Sequence, residues 1–190
     1  MADVERLLES LKGTKQIELE DIPGIDLYMD QVMQLFDNKL SSGDPSERVL
    51  TKTMINNYAK SGLLLPIKNK KYTKEHIILL SLINQLKGSL KINEIKQLLE
   101  ELNQKIVNEE FDLPDFYRYY LELMNVNAEH FSRTLQTHFH EATELVSTKD
   151  QTDTSYVDKV LLISSLAQMS NLYRHAAETL VRDIASEEKE

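Results

Sequence analysis

Residues 50–99 read LTKTMINNYAKSGLLLPIKNKKYTKEHIILLSLINQLKGSLKINEIKQLL, and this stretch decides the fold. Its opening places Met54, Ile55 and Tyr58 on a narrow apolar stripe, while Lys52, Thr53, Asn56, Asn57 and Lys60 are polar. That spacing predicts a helix of about ten residues. Thr51 is suited to cap its start, because a threonine oxygen takes an orphan N–H of the first turn. Gly62 is suited to close it in the left-handed conformation. Residues 63–67 and 70–73 then read as two very short strands around Lys68 and Asn69, a small hairpin or wing. Thr73 is a candidate cap for a second helix carrying Ile77, Leu80, Ile83, Asn84 and Leu86, which ends near Gly88. A third runs from about 93 to 104 with Ile95, Leu98, Leu99 and Leu102 inward.

Outward from this stretch the pattern stays helical. Asp3 can cap a short helix with Val4, Leu7, Leu8 and Leu11 at helical spacing and Gly13 as its stop. Residues 16–23 read as extended chain, and 26–40 as a helix with Leu27, Val32, Leu35, Phe36 and Leu40 on one stripe. A polar loop follows at 41–45. On the other side, Asp112 with Pro114 in the first turn starts a helix. Phe116, Tyr119, Tyr120, Leu123, Phe131, Leu135, Phe139, Ala142 and Val146 line one face, in one long helix or in two broken near 125–127. After a loop at 147–154, Ser155 with Asp158 three residues on resembles a capping box. The last helix, to about 185, is apolar almost all round over 160–169, which predicts a buried centre.

Composition bounds the function classes. The 190 residues are 41% hydrophobic and 28% charged, with only five glycines and four prolines, which favours helices over turn-dense β folds. There is no cysteine, so disulfides, thiolate nucleophiles and cysteine-ligated metal sites are excluded. No apolar run approaches the roughly 18 residues of a membrane span, and the expectation is a soluble, cytoplasmic protein. The net charge is −9, but it is unevenly spread. Residues 51–105 carry 10 basic and 4 acidic side chains, whereas 1–50 carry 5 and 11, and 106–190 carry 7 and 16. A basic island of +6 between acidic flanks of −6 and −9 is the footprint of a localised anion-binding surface. Lysines that merely solvate helix surfaces are the alternative.

The run Thr53-Met54-Ile55-Asn56-Asn57-Tyr58-Ala59-Lys60-Ser61-Gly62-Leu63-Leu64 resembles the recognition region of MerR-type winged helix-turn-helix regulators. Lys71-Tyr72-Thr73 looks like that family's wing exit. Leu90-Lys91-Ile92-Asn93-Glu94-Ile95-Lys96-Gln97-Leu98-Leu99 is similar to its second helix-turn-helix. More narrowly, Ile25-Asp26-Leu27-Tyr28-Met29-Asp30-Gln31-Val32 together with residues 50–57 resembles an uncharacterised domain-of-unknown-function family, typical of Gram-positive bacteria and thought to share this fold. The resemblance implies a mainly α protein. Residues 1–24 would be an N-terminal arm, 25–105 a MerR-like winged helix-turn-helix domain with a small β-wing, and 106–190 an acidic helical dimerisation or effector domain.

It further implies a transcription regulator that binds double-stranded DNA. The helix at 51–61 would enter the major groove with Lys52, Thr53, Asn56 and Asn57 facing bases. An asparagine amide can pair bidentately with adenine, and a lysine can reach guanine acceptors. Tyr58, Lys60, Lys68, Lys70, Lys71 and Tyr72 would hold phosphates; for the two tyrosines, core packing is the alternative. A homodimer through the C-terminal helices would double the lysine-bearing surface. The aromatic cluster of Phe111, Phe116, Tyr117, Tyr119 and Tyr120 is a candidate pocket for a small-molecule or protein effector, or else core or dimer interface.

Other chemistries have less support. His138 and His140 point to different faces of a helix, no histidine has a glutamate three residues before it, and His130, His138 and His175 would need to converge in space to hold a metal. Neither a nucleophile elbow nor a phosphate-cradling glycine loop is present, so neither enzyme nor cofactor is expected. The rival reading is a helical protein–protein adaptor that uses the winged scaffold without binding DNA.

Overall fold

The structure, a computed structural model, describes Glu9 and residues 15–41, 48–147 and 154–187. The expected N-terminal helix and its Gly13 stop, and most of the loops at 41–45 and 147–154, lie outside the described residues. So does the Ser155 side chain of the expected capping box. The protein is mainly α, with six helices and one two-stranded sheet among the described residues. A 3-10 turn at Leu19–Asp21 precedes β1 (Leu27–Tyr28) and α1 (Met29–Leu40). Then come α2 (Lys52–Lys60), β2 (Lys71–Tyr72), α3 (Lys74–Leu86), α4 (Ile92–Val107), α5 (Leu113–Ser147) and α6 (Thr154–Glu187). The long acidic helix α5 is continuous, so of the two alternatives for residues 113–147 the single helix is the one that forms.

The chain divides into two compact units, one of Lys15–Leu121 with Ala177–Glu190, the other containing Glu122–Ala176. In the first, α3 is the centre. The stripe expected from Ile77, Leu80 and Ile83 is wider than one face, for residues 76–83 are buried without interruption. Six of these are Ile or Leu, and each buried side chain of that kind contributes about 1.5–3 kcal/mol. A helix apolar all round must be wrapped on all sides. Val32, Met33 and Phe36 of α1, Ile55 and Tyr58 of α2, Ile95 and Leu99 of α4, Leu113 and Tyr117 of α5, and Val181 of α6 belong to the same core.

The strand pairing differs from the expected hairpin. Residues 63–67 form no strand, and Lys71–Tyr72 pairs antiparallel with Leu27–Tyr28, in register Leu27 with Tyr72 and Tyr28 with Lys71. Pro66 has no N–H to give a ladder, and Leu63 and Leu64 are buried in the core instead of alternating across a ribbon. Only an isolated bridge, Lys68 to Lys71, remains of the local pairing. The partner strand comes from more than forty residues upstream, which a local reading of turn signals does not reach.

In the second unit the expected burial of 160–169 is not found. Leu162 is buried against Leu135, with Phe139 and Leu166 beside them, but Val160, Leu161 and Ile163 are exposed. Among the described residues, stretches of α5 and α6 cover each other along one seam. A helix apolar on every side needs more neighbours than that.

One polar network sits deep in the first unit. The Tyr117 hydroxyl donates to the Ile17 carbonyl at 2.8 Å and lies 2.8 Å from Ser81 Oγ. Tyr117 is fully buried, and its phenol is pushed up to about 12 by that burial, against the opposing effect of the Ser81 hydrogen bond. Tyr117→Phe leaves the Ser81 hydroxyl and the Ile17 carbonyl short of a partner, which costs about 1–3 kcal/mol. Urea denaturation should show a lowered midpoint with an unchanged m-value.

Candidate nucleic-acid interface

The helix that carries the expected base-facing residues is defined at both ends by local chemistry. At its start Thr51 Oγ1 accepts from the Met54 N–H at 3.2 Å, the capping role anticipated for it. At its end Gly62 takes φ +77°. The Leu63 N–H donates to the Tyr58 carbonyl at 3.0 Å and the Gly62 N–H to the Ala59 carbonyl at 3.3 Å. These two bonds make a Schellman motif, and burial of Leu63 beside Tyr58 supplies its usual apolar contact.

Between these caps the helix is divided lengthwise. Ile55 and Tyr58 are buried and Met54 and Ala59 partly so, whereas Lys52, Thr53, Asn56, Asn57 and Lys60 are exposed. Positions i, i+1, i+4, i+5 and i+8 form one face of an α-helix. The structure therefore brings these five residues together on a single solvent-facing strip of amide, hydroxyl and ammonium groups.

The lysine-rich turn is equally well defined. Asn69 and Lys70 have φ of +53° and +58°, and the Lys71 N–H donates to the Lys68 carbonyl at 3.0 Å. Two successive positive φ values make this a type I′ turn, for which Asn-Gly is the favoured pair. Here Lys70 occupies the glycine position. Lys68, Asn69 and Lys70 are exposed and Lys71 is half-buried.

The turn and α2 both reach residues at the start of α1. Lys71 Nζ lies 5.7 Å from the centroid of the Tyr28 ring, a cation–π distance. Lys52 Nζ lies 2.8 Å from Asp30 Oδ1. Tyr28 and Asp30 are two residues apart, so the N-terminal turn of α1 carries contacts to both basic elements. Neither residue was singled out from the sequence as part of a site. The Tyr28 contact follows from the β1–β2 pairing, which sets Tyr28 opposite Lys71 and has no local signal.

Tyr58 and Tyr72 take the core alternative. Only 7% and 3% of their surface is exposed, and burial pushes both phenols above their ordinary value. The Tyr72 ring meets His76 edge-on with centroids 5.7 Å apart. Of the aromatic cluster, Tyr117 is fully buried and stacks with Tyr120, Phe111 tilts against Phe116, and Tyr119 is exposed. Among the described residues no group of three or more His, Asp or Glu is placed to hold a metal ion. His138 Nδ1 lies 3.4 Å from Ser165 Oγ and 3.6 Å from a Glu141 oxygen.

His76 ties the turn to α3. Its Nδ1 accepts from the Thr73 N–H at 3.1 Å, so it takes the place usually held by Glu or Gln in a capping box. Nε2 therefore carries the proton and donates to the Leu65 carbonyl at 3.2 Å. Burial holds its pKa below the ordinary 6.5, although the Leu65 carbonyl and the Glu75 and Asp26 carboxylates oppose that shift. The unfolded chain thus takes the proton first. The stability supplied by neutral His76 is whole above 6.5 and is lost as pH falls through that value towards the folded pKa. His76→Gln keeps an acceptor for Thr73 without titrating. Urea denaturation at about pH 5 and about pH 7.5 should show a smaller loss of stability on acidification in that variant than in the wild type.

A sequence model described as "Domain of unknown function (DUF1836)" matches residues 17–120. The matched span contains α1 to α4, both strands, the basic turn and the first turns of α5. No curated protein and no solved structure matches the chain.

Proposed function

The chain belongs to the DUF1836 family, and from the face that α2 presents within the matched residues we propose that it is a transcription regulator that binds double-stranded DNA. The observation that carries this reading is the lengthwise division of α2. Ile55 and Tyr58 root the helix in the core while Lys52, Thr53, Asn56, Asn57 and Lys60 face water together. An exposed α-helix fits the major groove, and amide and ammonium groups are the donors that read adenine and guanine edges there. In this reading α2 is the recognition helix of a MerR-like winged helix-turn-helix, and the turn 68–71 serves as its wing. Lys68, Lys70, Lys71 and the helix-end Lys60 would take phosphates. Tyr58 and Tyr72 drop out of the phosphate set because their rings belong to the core.

The strain at Lys70 supports a role for that side chain. A non-glycine residue at φ +58° costs on the order of 1 kcal/mol, and glycine would remove that cost. Lys70→Gly should raise folding stability by roughly 0.5 kcal/mol. The same change should weaken DNA binding and lower the salt slope by about 1, the loss of one phosphate contact. Stability that rises while binding is unaffected would remove Lys70 from the interface.

A second reading, the protein–protein adaptor, draws support from the ion pair between Lys52 and Asp30. A carboxylate 2.8 Å from a base-facing ammonium repels phosphate as well as neutralising the lysine. Fluorescence anisotropy with genomic duplex fragments at low salt separates the two. DNA binding predicts a complex that weakens steeply with added salt, and the combined Lys52→Ala and Asn56→Ala change should cost about 2–4 kcal/mol of specific affinity. No binding, or binding indifferent to the combined change, would sink the DNA reading.

A further inference from the structure

At the end of α4 the chain carries charge where local chemistry opposes it. The Glu110 N–H donates to the Lys105 carbonyl at 2.9 Å and the Glu109 N–H to the Ile106 carbonyl at 3.1 Å, a Schellman motif with Glu109 at φ +61°. That position suits glycine or asparagine and strains other residues. It is also the negative end of the helix dipole, where a cation is favoured and a carboxylate is not. Glu109 and Glu110, with Glu75 and Asp112, ring a cleft of about 550 Å³. Its floor is apolar, from Leu65, Ile106, Val107 and Phe111, and Val107 leaves 59% of its surface exposed. Among the described residues no Lys, Arg or His lines this cleft, and none of the four carboxylates enters an ion pair. The Lys105 ammonium bonds to Glu101 instead, and Glu110 acts on it only through space. A second cleft, of about 490 Å³, shares Leu65 and Val107 with the first. It follows one face of α4 from Lys96 through Glu100 and Asn103 to Asn108, about 18 Å of helix. The two clefts make one elongated groove, apolar at its base and acidic at its end.

We propose that this groove docks a short extended segment of a partner protein in which apolar residues alternate with lysine or arginine. Five or six extended residues span about 18 Å and send alternate side chains to opposite sides. One set covers Val107 and the apolar floor, and the other brings cations to the carboxylates and to the negative end of α4. The side-chain amides of Gln104 and Asn108, both exposed along α4, offer donors and acceptors to the backbone of such a segment. Charge complementarity decides the choice of occupant. Nucleic acid or an acidic lipid surface is repelled by the four carboxylates. A neutral apolar segment would strip water from those carboxylates without pairing them. A segment that is apolar on one side and cationic on the other meets both demands.

The docking does not rest on the DNA reading and is tested without DNA. The probe is a fluorescein-labelled hexapeptide of alternating lysine and leucine, titrated with the full chain and followed by anisotropy. It should bind about tenfold more tightly than its glutamate–leucine and lysine–serine counterparts. Glu109→Gln with Glu110→Gln should weaken that complex about tenfold, with helical circular dichroism retained. Glu122→Gln with Glu129→Gln makes the same change of net charge on α5, outside the groove, and should leave the affinity within about twofold. Absence of binding overturns the proposal, as does a complex indifferent to the Glu109 and Glu110 changes. Equal binding of the lysine–serine peptide overturns it by reducing the groove to a diffuse acidic surface. A dimer in sedimentation that the Glu109 and Glu110 changes dissociate overturns it too, by giving the groove to a second copy.

Discussion

Burial of α3 on every side is the constraint on which the first unit depends. A helix with eight consecutive buried residues has no face to offer water, so its neighbours must enclose it. The core that holds α3 draws on both directions of the chain: α1 and α2 from upstream, α4 and the start of α5 from downstream, and Val181 from the far end. Each neighbour spends one apolar stripe on this enclosure and is left with a polar side. The exposed strip of α2 is therefore a by-product of the core as much as a feature in its own right. What distinguishes it is the choice of side chains. Solvation alone would be served by glutamate and lysine mixed along the helix, yet α2 has no acidic residue and two adjacent asparagines. Asparagine is a poor helix former, so its presence twice on a nine-residue helix runs against local stability.

His76 lies within the same buried run and does a different job. Its ring reaches out of α3 at both ends of a short path, to the Thr73 N–H on one side and the Leu65 carbonyl on the other. The segment before the basic turn is thus held to the central helix by a side-chain hydrogen bond where no strand ladder exists. Asn103 of α4 makes a comparable tie, its amide donating to the Leu63 carbonyl at 3.2 Å. Backbone carbonyls that would face a partner strand in a hairpin are here satisfied by side chains. This explains how residues 63–67 hold their path, with Leu63 and Leu64 buried, without being a strand.

What was legible in the sequence was whatever depends on neighbours within one helical turn. Thr51 and Gly62 take the cap positions anticipated for them, and Asp112 accepts from the Asp115 N–H at 2.9 Å at the start of α5. The apolar stripes of α1, α2 and α4 fall inward. The polar face of α2 follows from the same periodicity, so that strip could be read before any fold was known. Less legible was everything set by distant chain. The strand partner of Lys71–Tyr72 lies at 27–28, and no turn residue announces it. The burial of Tyr58 and Tyr72 depends on that pairing and on α3, because a tyrosine stripe reads alike whether a core or a phosphate lies beneath it. The exposure of Val160, Leu161 and Ile163 on α6 departs from the expected burial for a related reason. An all-apolar helix segment states that it wants covering, but not whether the covering surface is in the same chain.

The charge segregation gains a physical sense from the contacts at the start of α1. A strongly acidic protein that is to approach an anion must keep its carboxylates away from the contact or place them deliberately. Asp30 is placed within 2.8 Å of Lys52, and both side chains are largely exposed, so their mutual attraction is screened and worth at most about 1 kcal/mol. Such a pair is easily exchanged. In the proposed DNA reading, a phosphate or a guanine acceptor that took the ammonium would release the carboxylate, whose preferred partner in the major groove is a cytosine amino group. Lys71 over the Tyr28 ring is a different case, since a ring face fixes the position of the ammonium without cancelling its charge. The two basic elements thus reach the same turn of α1 with one cation held in place and one held in reserve. In the proposed DNA reading, Lys71 meets phosphate with its position already fixed, whereas Lys52 reaches a base only by leaving Asp30.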